Sequence, residues 1–216
     1  MGVRPAAGGG RWVDVDPERL AGWLDRFRER HGSLAVDFDG ERLRVAAFDG
    51  TIAQLAPPPG APAREDIAGF LQSVGEPRTL GLLLVRRGGT AVGVAAGDRL
   101  LTSKITVGYV QSRAAAGGWS QQRFARRREN QARAAAGGAA DLAVRLLLPE
   151  MARLSALVTG GDRGMVDATL ADRRLASLTM KLSDRFLDVS DPRHAVLVDA
   201  LRRARMVRIL LTDPAE

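Results

Sequence analysis

Apolar positions along this chain switch between two periods. Leu20, Trp23, Leu24 and Phe27 recur at steps of three and four, the spacing of one buried helix face. Asp16-Pro17 supplies a cap and a first helical residue, and Gly32 a stop. The period then shortens to two. Residues 34–38 and 43–48 read as a hairpin joined through Asp39-Gly40, with a third strand at 51–55 after Asp49-Gly50. Residues 57–62, Pro-Pro-Pro-Gly-Ala-Pro, form a stiff linker. A short helix over 64–74 follows, with Ile67, Phe70, Leu71 and Val74 on one face. Trp23 has the flat surface of a base-stacking platform, but an aromatic in such a stripe belongs to a core.

Beyond Pro77 the pattern predicts a meander. Residues 79–85 form a buried strand, Arg86-Arg87-Gly88-Gly89 a turn, and residues 90–95 and 99–107 two further strands. A long helix is expected over 121–148, stopped by Pro149. Its buried face steps through Ala132, Ala135, Ala139, Leu142 and Leu146, and Gly137-Gly138 is a candidate kink. Strand and helix then alternate. Strands are expected at 154–159, 175–180, 185–189 and 206–211, and helices at 163–171 and from Asp191-Pro192 to 204. This predicts an α/β (α+β) fold, a mixed and partly parallel sheet covered by helices. Three segments follow: a loose tail at 1–10, an N-terminal α/β portion of helix plus hairpin at 11–76, and a main domain at 77–216.

Charge changes the picture. The 216 residues carry 32 Lys and Arg against 25 Asp and Glu, a net charge of +7, which favours an anionic partner, nucleic acid before membrane surface. Cysteine is absent, which excludes disulfides and thiolate metal sites. The two histidines, His31 and His194, are far apart and in no metal-ligand spacing. No apolar run approaches a membrane span, and no signal-peptide core is present at the N-terminus. A cytoplasmic protein without membrane partner, metal or cofactor is expected, acting as a monomer.

The excess charge is concentrated. Residues 111–133 hold six arginines and one glutamate, or 6 − 1 = +5. These arginines adjoin a loop, 108–120, built around Gly117-Gly118-Trp119-Ser120-Gln121-Gln122. Adjacent glycines let a backbone approach a partner closely. A glutamine side chain is no base at neutral pH, but it orients water and polarises a reacting group. Arg113, Arg123, Arg126, Arg127, Arg128 and Arg133 suit phosphate, which a guanidinium bonds bidentately. Tyr109 and Trp119 are available to stack on nucleobases. The plain alternative is a strand-to-helix turn beside a solvated helix face.

The run Gly117-Gly118-Trp119-Ser120-Gln121-Gln122-Arg123-Phe124-Ala125-Arg126-Arg127-Arg128 resembles the central-domain signature of archaeal and eukaryotic class-1 peptide-chain release factors, in which Gly-Gly-Gln-Ser enters a helix beginning Arg-Phe-Ala-Arg-x-Arg. Gly117, Gly118, Ser120, Arg123, Phe124, Ala125, Arg126 and Arg128 align without a gap. The family's catalytic glutamine falls on Trp119. Gly118-Trp119-Ser120-Gln121 instead fits the Gly-x-x-Gln spacing of the related Vms-like release factors, and the chain resembles a bacterial branch of that family. The resemblance is strongest over residues 91–148, becomes diffuse after 151 and has no counterpart to quote for 1–76.

The resemblance implies a ribonuclease-H-like core. It further implies hydrolysis of the ester between nascent peptide and tRNA, in the peptidyl-transferase centre of a stalled ribosome or a large subunit. Ribosomal RNA and peptidyl-tRNA would be the partners. Gln121 carries over as the catalytic glutamine, and a one-residue shift of the loop would put Gln122 there. Gly117 and Gly118 give backbone access, and Trp119, Ser120 and the six arginines contact RNA. With no codon-reading domain, zinc finger or ankyrin repeat in view, a factor that reads no codon is expected.

Two other classes fit the same sequence. One is a non-catalytic ribosomal-RNA-binding factor using the same basic helix. The other is a metal-dependent ribonuclease built on Asp37, Asp39 and Asp49, since clustered carboxylates bind magnesium. Two of these aspartates precede turn glycines, where Asp serves local hydrogen bonds. Gly160-Gly161, at a strand-to-helix junction, is a weak phosphate cradle.

Overall fold

The computed structural model describes residues 3–6, 9–107 and 120–214, with backbone alone for residues 3 and 120–129. In chain order the described elements are β1 (Val3–Pro5), β2 (Arg11–Val15), α1 (Leu20–His31), β3 (Leu34–Phe38), β4 (Leu43–Ala47), β5 (Ile52–Ala56) and α2 (Ile67–Gly75). Then come β6 (Thr79–Arg86), β7 (Gly89–Ala96), β8 (Arg99–Val107), α3 (Ser120–Leu147), β9 (Ala156–Gly161) and α4 (Arg163–Leu170). The chain closes with α5 (Ala176–Thr179), β10 (Leu182–Leu187), α6 (His194–Arg205) and β11 (Val207–Thr212). They fall into two compact units, residues 1–77 with 202–216, and residues 78–201.

The first unit is an antiparallel sheet in the order β1-β2-β11-β5-β4-β3. Alternate residues Val13, Val15, Leu43, Val45, Ala53, Leu55, Ile209 and Leu211 point to one side and are buried, the period of two that a half-buried sheet requires. Leu20, Trp23, Leu24 and Phe27 of α1, with Phe70 and Val74 of α2, complete that core. Trp23 stacks on Phe27 at 5.2 Å between ring centres, so it is a core residue. Asp66 caps α2 by accepting the Gly69 N–H at 2.8 Å. Within the expected tail, Val3–Pro5 pairs with β2. Asp16 makes no side-chain cap; a 3-10 turn at Pro17–Arg19 leads into α1 instead.

The second unit is a mixed sheet ordered β10-β9-β6-β7-β8. β9 runs parallel to β6 and β10 parallel to β9, while β7 is antiparallel to both neighbours. Counted within the unit the order is 5-4-1-2-3 with only the second strand reversed, the ribonuclease-H-like arrangement. β6 is buried from Leu80 to Val85, as a strand covered on both faces must be. Leu83 and Val85 meet α3 and α4 on one face. On the other, Gly93 leaves room for Leu197 of α6, whose Cδ2 lies 3.1 Å from where a Cβ would stand.

Four expectations change. The buried seam of α3 is Ala136, Ala139, Ala140, Leu142, Ala143 and Leu147, with Ala132, Ala135 and Leu146 at its margin, so the face is rotated by about a residue. Gly137 and Gly138 are exposed within continuous helix. Residues 175–180 are helical rather than a strand, because Asp172 caps a turn by accepting the Arg174 N–H and Leu175 and Leu178 are buried three apart. The final strand joins the first sheet between β2 and β5, so residues 202–216 belong with residues 1–77.

Candidate nucleic-acid interface

The candidate loop departs from the edge of the second sheet. β8 is an edge strand ending at Val107, which is 84% exposed. Gly89 sits opposite Val107 with φ +157°. A Cβ there would lie 2.5 Å from the Thr106 carbonyl oxygen, so only glycine lets the turn close tightly on the strand end. Gly117, Gly118, Trp119, Arg113 and Tyr109 lie outside the described residues. Ser120 opens α3, and Gln121, Gln122, Arg123, Arg126, Arg127 and Arg128 occupy its first turns as backbone. Arg133 is exposed on the same helix.

α3 is anchored at three levels. Its alanine-rich seam packs against β6 and β7. α4 packs alongside it. Near its far end Asp141 Oδ1 receives Arg174 Nη2 at 2.7 Å. Arg174 also reaches Asp172 Oδ2 at 2.6 Å. The hydrogen bonds from the Arg174 side chain, then its backbone N–H, pull the Asp172 carboxyl down to about 2.

Beside Arg133 lies a cleft of about 350 Å³. Ala132 and Arg133 of α3 form one wall, and Asp162, Gly164, Met165 and Ala168 at the start of α4 form another. Arg87, from the β6–β7 turn, closes the third side. The walls are fixed by backbone. The Asp162 N–H donates to the Val85 carbonyl at 2.8 Å, and Asp162 Oδ1 caps α4 by accepting the Met165 N–H at 3.1 Å. The neighbouring Arg86 donates from Nη1 to the Val189 carbonyl at 2.7 Å and lies 3.5 Å from Asp191. Arg87 has no ion-pair partner among the described residues. The sequence reading missed Arg87 and Asp162. A doubled arginine at a hairpin turn and an N-capping aspartate after Gly160-Gly161 were the available signals.

The glycine pair at 160–161 has a packing reason. A Cβ on Gly160 would lie 2.5 Å from the Leu187 carbonyl oxygen, and one on Gly161, at φ +103°, 2.3 Å from that of Val85. The three aspartates of the ribonuclease reading serve turns. Asp37 accepts the Phe38 N–H, Asp39 those of Glu41 and Arg42, and Asp49 that of Thr51. Asp49 also lies 2.8 Å from His31 Nδ1. The Thr51 N–H, then the His31 contact, hold the Asp49 carboxyl below its usual range. Among the described residues no three His, Cys, Asp or Glu side chains are grouped to hold a metal.

Comparison with known families decides which kind of protein carries this layout. A model of the Actinobacteria/chloroflexi VLRF1 release factor matches residues 78–210. The chain belongs to that release factor family. The match covers the mixed sheet, the loop and the basic helix of this VLRF1-type chain. No curated protein matches it. Among solved structures it is similar to an archaeal translation termination factor, aRF1, at 17% identity and a TM-score of 0.47, over 89% of this chain and 63% of that one. It is also similar to Dom34 of S. cerevisiae, a translation termination-like factor, at 7% identity and 0.36, over 93% and 66%. Archaeoglobus fulgidus Pelota follows at 10% identity and 0.32, over 94% and 64%. The chain thus spans less than two thirds of each of these proteins. Among the described residues no helix is long and apolar enough to cross a membrane.

Proposed function

We propose that this VLRF1-type chain is a ribosome-associated peptidyl-tRNA hydrolase. It acts in the cytoplasm on stalled ribosomes or large subunits. The carrying observation is the release-factor match over residues 78–210, which encloses the Gly118-Trp119-Ser120-Gln121 loop and the basic start of α3. The arginines dock on ribosomal RNA phosphates. Gly117 and Gly118 let the backbone enter a crowded centre. Gln121, by its main-chain N–H or its side-chain amide, holds a water or the developing oxyanion at the ester carbonyl. Water adds to the carbonyl, the C–O bond to the terminal ribose breaks, and the peptide acid and a tRNA hydroxyl are released. No covalent intermediate is needed, and positioning supplies much of the acceleration.

The decisive experiment follows loss of tRNA from a labelled nascent chain on stalled ribosomes and on split large subunits. Wild type releases the peptide, and Gln121→Ala loses about 10²–10³ in rate, the usual cost of one oriented donor. If release persists in Gln121→Ala and in the Gln121/Gln122 double variant, the catalytic role fails. Binding without release by wild type would support the second reading, a ribosomal-RNA-binding factor, which the +5 segment alone would serve.

A further inference from the structure

Resting on RNA as the partner, we infer that the cleft between α3, α4 and the β6–β7 turn binds one nucleotide step of an RNA backbone. Arg87 and Arg133 hold the phosphate, and Asp162 accepts the ribose 2′-hydroxyl. Four observations carry this. The two guanidinium groups come from elements 46 residues apart in sequence, 133 − 87, and line one cavity of about 350 Å³. Two guanidinium groups lining one cavity match a phosphate better than a single cation does. Arg87 finds no anion among the described residues, although Arg86 beside it is committed to Val189 and Asp191. The turn therefore separates one structural arginine from one available arginine.

The cleft's single carboxylate fits the same ligand. Asp162 uses Oδ1 as the cap of α4, and Oδ2 accepts nothing among the described residues. A carboxylate repels phosphate but accepts a hydroxyl, and the 2′-hydroxyl distinguishes RNA from DNA. Ala132, Gly164 and Ala168 line the remaining walls, and their short side chains leave room for a sugar. Arg133 lies thirteen residues along α3 from Ser120, about 20 Å at the helical rise. The cleft is thus a second anchor at a fixed distance from the loop's exit.

The test measures binding of the full chain to a single-stranded decauridylate RNA and to its DNA counterpart across a salt series. Arg87→Ala is expected to weaken RNA binding roughly tenfold. It should also flatten the slope of log K against log salt by about 0.7, one phosphate contact on a single strand. Arg87→Lys keeps the slope. Asp162→Ser keeps a capping oxygen but removes the second one; it should lower the RNA-over-DNA preference roughly tenfold. Unchanged melting temperatures verify that these variants fold. Arg87→Ala binding RNA like wild type with the same slope overturns the cleft, as does an RNA-over-DNA preference unaltered in Asp162→Ser. Either result leaves peptide release by wild type standing. Failure of wild type to bind RNA or ribosomes overturns both this inference and the functional reading beneath it.

Discussion

Arg174 Nη2 lies 2.7 Å from Asp141 Oδ1 although 33 residues separate them. This contact ties the capped turn after α4 to the far half of α3. The same guanidinium holds Asp172, so one arginine secures both the turn and the helix that carries the basic segment.

The clamp gives an acid dependence with a definite sign. The folded-state value of Asp172, about 2, lies below the ordinary 3.8. Its contribution to stability is therefore complete above 3.8 and disappears as pH falls through about 2. Wild type should melt above Asp172→Asn at neutral pH, and the gap should close between those two values. A gap that stays constant down to pH 2 would sink the assignment. Arg174 is exposed and Asp172 half-buried, so salt should narrow the gap as well.

Glycines in this chain should respond to alanine in opposite directions. Gly161 has φ +103° and a carbonyl 2.3 Å from the would-be Cβ. Gly161→Ala should cost at least about 2 kcal/mol in urea unfolding. Gly137 and Gly138 meet nothing within 4 Å and are helical. Gly137→Ala or Gly138→Ala should stabilise by about 0.5–1 kcal/mol. Destabilisation by either would mean that the helix needs their freedom.

Phe70 of α2 is fully buried in the first unit's core. Phe70→Ala should cost about 3–5 kcal/mol. A loss below about 1 kcal/mol would show that α2 contributes little to that core.

The start of α3 should set the salt response of ribosome binding. Under the proposed function, replacing Arg126, Arg127 and Arg128 together by Ala removes up to three phosphate contacts. The slope of log K against log salt should then flatten by about 2. An unchanged slope would move the docking surface elsewhere.

Local chemistry made much of the fold legible. The stripe Leu20, Trp23, Leu24, Phe27 became α1, Asp39-Gly40 became a hairpin turn, and the meander at 79–107 became β6 to β8. Non-local pairing was hidden. Nothing at 207–212 announces that Ile209 pairs with both Val13 and Leu55. The short apolar run at 175–180 reads as a strand by composition; the Asp172 cap and the joint burial of Leu175 and Leu178 three apart make it helical. The loop glycines and Gln121 rest on the motif alone, whereas Arg87 and Asp162 line one cleft only through the sheet order. Trp23, a candidate stacking platform by type, is held by Phe27.

The seating of β11 between β2 and β5 makes the polypeptide a nested sentence, with residues 78–201 as its parenthesis. During synthesis the inner clause is complete before the outer one can be. β1 and β2 must wait for Val207–Thr212 before their sheet is whole. A chain cut just before that strand would leave β2 and β5 without the partner that joins them.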